Sequence, residues 1–126
     1  MKPLINRVKD SYNKSITITS LNLLSLDGNK EVQLGVAQHD KIENIMIERL
    51  TFSPFWEVRK LIAMNPKTNG LLLNILSKDT RIEVIESVVK NKNTETKTLN
   101  YLFKYYKHKN KKLSCFIQKR INSNSN

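Results

Sequence analysis

Written in rows of 26 residues from Pro3, the chain aligns with itself without a gap as far as Tyr106, and this repetition restricts the fold more than any other feature. Rows 55–80 and 81–106 share eight identities, at Glu57/Glu83, Val58/Val84, Asn65/Asn91, Thr68/Thr94, Leu73/Leu99, Asn74/Asn100, Leu76/Leu102 and Lys78/Lys104. Rows 3–28 and 55–80 share seven, at Arg7, Asn13, Leu21, Asn22, Leu24, Ser25 and Asp27. Row 29–54 matches row 55–80 at Glu31, Val32, Ala37, Lys41 and Leu50.

Each row carries two apolar patches at helical spacing, Val58, Leu61 and Ile62 and then Leu72, Leu73, Ile75 and Leu76 in the third, which predicts a helix pair per row. Between the two stand Asn65, Pro66 and Thr68. Asn tolerates the left-handed conformation of a helix end, Pro cannot continue a helix, and Thr can cap the next one. Asn13, His39, Asn65 and Asn91 share this column, which therefore reads as C-terminal capping. Asp27-Gly28, Ser53-Pro54 and Asp79-Thr80 separate successive rows with short breaks. One pair cannot bury its own apolar face, whereas stacked pairs form a continuous core. The expected fold is an all-α solenoid of four helix pairs, a single domain over residues 1–121. After Tyr106, LSCFIQKRIN resembles VRKLIAMNPK once three residues are inserted, so a capping helix is expected at about 111–121. Leu113, Phe116, Ile117 and Ile121 should face inward and Lys112, Lys119 and Arg120 outward, with Cys115 a small buried apolar residue. Residues 122–126 are expected to form a polar, flexible tail.

Read from Trp56 to Asp79, the pattern E-V-R-x-x-I-A-x-N-P-x-T followed by L-x-x-L-x-x-D resembles the leucine-rich repeat variant family, a relative of HEAT-like repeats. The resemblance implies a right-handed superhelix of helix pairs, one member of each pair often 3₁₀, without strands. It covers about 100 residues and is sharpest in the third row. The cysteine cluster that binds an iron–sulfur centre in the founding type has no counterpart, because Cys115 is the single cysteine; no cofactor is expected. Fold resemblance of this kind implies almost nothing about function.

Charge carries the functional signal. Residues 1–95 hold 14 basic and 11 acidic side chains, whereas residues 96–126 hold Lys97, Lys104, Lys107, Lys109, Lys111, Lys112, Lys119 and Arg120 and no acid. Such an end attracts phosphates, since each lysine that neutralises one releases a condensed counterion. Tyr101, Phe103, Tyr105 and Tyr106 interleave with it, and rings exposed beside lysine suit stacking on unpaired bases, although about two of the four are expected in the core. Lysine dominates, 17 of 22 cations, which favours backbone contact over base reading. Seventeen Lys and 15 Asn also fit a compositional bias that leaves a merely solvated face. The expected partner is nucleic acid or an acidic protein surface. The alternative is a protein-interaction scaffold using the concave face, with Asn22, Glu48, Asn74 and Asn100 as groove candidates or else as a helix–helix hydrogen-bond ladder. A basic amphipathic helix on anionic membrane ranks lower, because its apolar face is needed as a cap.

No enzyme is expected. His39 and His108 lie in different repeats, Cys115 is no evident nucleophile, and P-loop and HExxH motifs are absent. Trp56 with Glu57 or Asp79 is the nearest approach to the acid and tryptophan cleft of solenoid base-excision enzymes, and Trp56 reads better as packing between repeats. No run of about 18 apolar residues or signal-type segment occurs, which leads to an expectation of a cytoplasmic protein.

Overall fold

A computed structural model describes residues 2–124, and those residues are all-helical, with nine α-helices and no strand. They are α1 (Leu4–Tyr12), α2 (Ile18–Leu24), α3 (Lys30–Ala37), α4 (Asn44–Thr51), α5 (Trp56–Met64), α6 (Gly70–Leu76), α7 (Ile82–Lys90), α8 (Thr96–Tyr106) and α9 (Lys111–Asn124). Helices begin at residues 4, 30, 56 and 82, and again at 18, 44, 70 and 96, so both series advance by the row length of 26. Both members of every pair are α-helical, and no described residue is 3₁₀. α9 runs on to Asn124, so residues 122–124 are helical rather than a tail. Ser123 Oγ bonds back to the Arg120 carbonyl at 2.8 Å and Asn122 accepts from Gln118 at 2.9 Å, which extends the helix by one turn. The last two residues of the expected tail lie outside the described residues.

Two compact units make up the chain, residues 1–62 and 63–126, with their boundary inside α5. In the first, Leu21, Val32, Val36, Ile47 and Ile62 are sealed from solvent; in the second, Leu73, Val84, Val88, Leu99 and Ile117 are. The burial follows the rows. Leu21, Ile47, Leu73 and Leu99 share one column and are at most 1% exposed, and Val32, Val58 and Val84 share another at 0%. Each such side chain contributes about 1.5–3 kcal/mol relative to exposure.

Within the first unit α1 lies against α3, and the approach is set by small residues. Ser11 is fully buried with its hydroxyl on the Val8 carbonyl, and a Cβ on Gly35 would stand 2.0 Å from Ser11 Oγ and 2.6 Å from Ser11 Cβ. Glycine costs helix propensity at this site, and close packing of the two helices is what it permits.

The column Asn13, His39, Asn65 and Asn91 does not work by left-handed capping. Asn13 has φ −76° and ψ 114°, Asn91 has φ −69° and ψ 130°, and no described non-glycine residue has positive φ. Each instead opens a turn in which its carbonyl accepts from the amide three residues on, at Ile16, Ile42, Thr68 and Thr94. Its side chain accepts from the amide two residues on: Asn13 Oδ1 from Ser15 at 3.0 Å, His39 Nδ1 from Lys41 at 3.1 Å, Asn65 Oδ1 from Lys67 at 2.8 Å, Asn91 Oδ1 from Asn93 at 2.9 Å. This is an Asx turn, with imidazole Nδ1 standing in for the amide oxygen at His39. The other end of the side chain reaches one row back. His39 Nε2 donates to the Asn13 carbonyl at 2.8 Å, and Asn91 Nδ2 donates to the Asn65 carbonyl at 3.0 Å and to that of Ala63 at 2.8 Å. A carbonyl can only accept and an amide N–H only donate, so His39 is the neutral Nε2–H tautomer.

The expected helix caps shift accordingly. Thr68 and Thr94 are buried rather than capping, with Thr94 Oγ1 on the Val88 carbonyl at the end of α7, and Asn69 caps α6 by accepting from Leu72. The breaks between rows use a second repeated turn: Asp27, Ser53 and Asp79 each accept from the amide two residues on, at 2.9, 3.2 and 2.9 Å. Burial pushes the Asp27 carboxyl up, but the Asn29 amide and the Arg7 guanidinium outweigh it and hold it below the ordinary carboxylate value.

Gly35→Ala should lower stability by about 1–3 kcal/mol through overpacking, against the ~1 kcal/mol that Ala otherwise gains in a helix. Thermal denaturation followed by circular dichroism checks the sign. Asn91→Ala removes the side-chain donor to the Ala63 and Asn65 carbonyls and should cost about 2 kcal/mol in urea titration, whereas the exposed neighbour Lys92 replaced by Ala should stay within about 0.5 kcal/mol.

Candidate functional site

The basic end is built on α8, the turn at residues 107–110 and α9, all within the second unit. Its eight cations divide into three groups. Lys97 stands 3.8 Å from the Glu95 carboxylate, an exposed pair of little energetic weight. Arg120 is turned inward: Nη2 donates to the Asn91 carbonyl at 3.0 Å and Nη1 to Asn124 Oδ1. It thereby does for the fourth row's turn what Asn91 does for the third row's, and it falls in that column once the three inserted residues are counted. The outward orientation expected of Arg120 is therefore corrected. The other six, Lys104, Lys107, Lys109, Lys111, Lys112 and Lys119, are exposed to solvent.

Two of these six occupy the first turn of α9, which has no acid there. Cations at a helix N-terminus oppose the macrodipole by about 0.3–1 kcal/mol each. Only Asn110 relieves that end, its Oδ1 accepting from the Leu113 amide at 3.0 Å. On one side of α9 a cleft of about 610 Å³ is lined by Phe103, Lys107, His108, Lys109, Lys111, Ser114, Cys115 and Gln118, with no acid among them. On the other side a cleft of about 640 Å³ runs along α7, lined by Ile82, Glu86, Lys90, Lys112, Phe116 and Lys119 among others.

Cys115 lies at the mouth of both clefts and is exposed, not buried as expected. Leu113 and Ile117 point inward at 4% and 0% exposure; Cys115, two residues from each, is carried by the helical rotation to the far side, and the buried small residue is Ser114. Phe116 and Ile121 are half-buried.

The aromatic side chains sit on α8 in an ordered strip. Tyr101 and Tyr105 are exposed and Phe103 and Tyr106 half-buried, so none is fully in the core. Lys78 Nζ sits 3.3 Å from the centroid of the Tyr101 ring and Lys109 Nζ 3.6 Å from that of Tyr105. The two ring centroids are 6.3 Å apart and tilted by 31°, and Tyr106 meets Tyr105 edge to face at 4.8 Å. Burial pushes the Tyr106 hydroxyl pKa up, and Tyr105, Tyr101 and Asp79 push it the same way. Charge counting passes over Lys78, because it lies outside the acid-free segment; the available signal was its identity with Lys104 one row on.

The groove candidates behave alike in the two units. Asn22 Oδ1 accepts from Arg49 at 2.8 Å and Asn74 Nδ2 donates to Thr98 Oγ1 at 2.9 Å, each tying neighbouring second helices together, while Glu48 and Asn100 are exposed. Among the described residues no three His, Cys, Asp or Glu gather as a metal site, and no helix is long and apolar enough to cross a membrane.

No family model, curated protein or solved structure matches the chain. The reading of the site therefore rests on its own geometry.

Arg120→Ala should lower stability by about 1–2 kcal/mol, because the Asn91 carbonyl loses a charged donor, whereas Lys119→Ala one residue earlier should change it by less than about 0.5 kcal/mol. Urea denaturation of the two variants separates the bonded cation from the solvated one.

Proposed function

We propose that the chain is a short right-handed α-solenoid of the leucine-rich repeat variant type, and that it binds nucleic acid or another polyanion through its C-terminal end without catalysing a reaction. The observation that carries the binding reading is the placement of six exposed lysines around α8 and α9, two of them at the helix end where positive charge is disfavoured. A surface charged only for solubility has no reason to put lysines there, whereas a bound phosphate chain relieves the repulsion and takes up the macrodipole. The solenoid reading is supported by helix starts that recur every 26 residues and by a turn whose hydrogen bonds recur with them. Lysine supplies flexible point charges rather than planar forks, so the expected recognition is of phosphates and not of base sequence.

A second reading, a protein-interaction scaffold, has its own support in the first unit. Leu23, Leu26 and Phe52, on or beside α2 and α4, are 63–68% exposed. Such side chains suit an apolar partner surface.

Fluorescence anisotropy with random-sequence oligonucleotides at rising salt tests the first reading. Binding at about 50 mM salt should weaken steeply towards 200 mM, and replacing Lys107, Lys109, Lys111 and Lys112 together by Ser should lower the slope of log K on log salt by up to about 3 while leaving the melting temperature within a few degrees. Absence of binding at 50 mM sinks it. Capture of one host protein that survives nuclease treatment, lost on Phe52→Ser, decides for the scaffold.

A further inference from the structure

We infer that the strip Lys78–Tyr101–Tyr105–Lys109 is a base-stacking platform, which makes the preferred ligand single-stranded nucleic acid rather than duplex or a base-free polyanion. The inference rests on the polyanion reading above and narrows it.

Tyr101 and Tyr105 stand one turn apart on α8, 38% and 47% exposed, and no fold requirement places two neighbouring tyrosine rings there. The equivalent positions one row earlier are Ile75 and Asp79. The rings lie within about 30° of parallel, their planes tilted by 31° at a centroid separation of 6.3 Å, so two successive unpaired bases can each find a face. Paired bases cannot, since their faces are closed by the neighbours in the stack.

Each ring carries its own ammonium, from the loop after α6 in one case and from the turn before α9 in the other. A lysine held over an exposed ring by cation–π attraction is bound more weakly than a base stacked on the same ring. An arriving base therefore displaces the ammonium, which stays within reach of the phosphate of the same nucleotide. Ring and cation act as one unit, the first taking the base and the second its phosphate. The cleft beside the strip, about 370 Å³, is of the size that holds a small planar group, and half-buried Tyr106 forms part of its wall. Asp79 is the one acid in that lining; its Oδ1 is held by the Arg81 amide at 2.9 Å, so the carboxylate belongs to the loop.

The test compares the full chain with two double variants, Tyr101→Leu/Tyr105→Leu and Tyr101→Phe/Tyr105→Phe. The probes are a labelled dT oligomer of about 12 nucleotides, a duplex of the same length and inorganic polyphosphate as competitor. The parent should bind dT more tightly than duplex or polyphosphate. The Leu variant should lose about tenfold or more on dT and keep its polyphosphate affinity, which also shows that it is folded; the Phe variant, retaining both π faces, should stay near the parent. Equal binding of all three probes, with dT affinity unmoved by the Leu variant, overturns the platform and leaves the polyanion reading standing. No binding to any probe at about 50 mM salt overturns both.

Discussion

A main-chain carbonyl at each bend between first and second helices must be satisfied where the chain turns into the apolar interior. That carbonyl accepts twice at Asn13, Asn65 and Asn91: once from the amide three residues on, closing its own turn, and once from a side chain about one row later. Leaving such a part-buried acceptor short of a partner costs up to about 1–3 kcal/mol, comparable with burying a leucine. The apolar columns supply most of the driving force, but they are indifferent to small slips along a helix. The directional bond at the turn is what holds neighbouring rows in register, so that Leu21 meets the layer of Ile47 and Leu73 that of Leu99.

The same requirement decides which cations at the C-terminal end are available for other work. Arg120 is committed to the last turn carbonyl, a long guanidinium reaching from α9 where the shorter amide reaches from a turn. Lys41 is used in a similar way in the first unit, its ammonium on the Ile16 carbonyl at 2.7 Å. Once Arg120 and the Glu95-paired Lys97 are set aside, six exposed lysines remain on α8, α9 and the turn joining them. Net charge alone does not reveal this division.

Much of the architecture is legible in the residues. Helix pairs, their 26-residue spacing and the three-residue insertion before α9 follow from identities and apolar periodicity, since burial forces both. The role of the Asn column is not. Asparagine suits a left-handed cap and an Asx turn equally, and the two differ only in backbone angles that residue type does not record. His39 is the informative member of the column: its two ring nitrogens reproduce an amide's acceptor and donor, which suits a two-sided hydrogen bond. Cys115 was misplaced for a simpler reason. Beside Phe116 it reads as apolar, and only the helical phase fixed by Leu113 and Ile117 turns it outward. Of the site, the cations were legible and their pairing with rings was not, because Lys78 and Tyr101 are 23 residues apart and meet only through the packing of α6 against α8's row.

A biased composition explains how many lysines the chain has, but it has no bearing on where they go. Solvation alone would be served by lysines offset by acids, and residues 1–95, with 14 basic and 11 acidic side chains, come close to that balance. In the last 31 residues acids vanish, two lysines load the unfavourable end of α9, and Lys109 sits over the exposed Tyr105 ring of α8. Two of these choices raise the energy of the free protein slightly, through charge repulsion and an opposed macrodipole. On the proposed reading a chain of phosphates relieves both, and its bases take the ring faces that the ammoniums now cover.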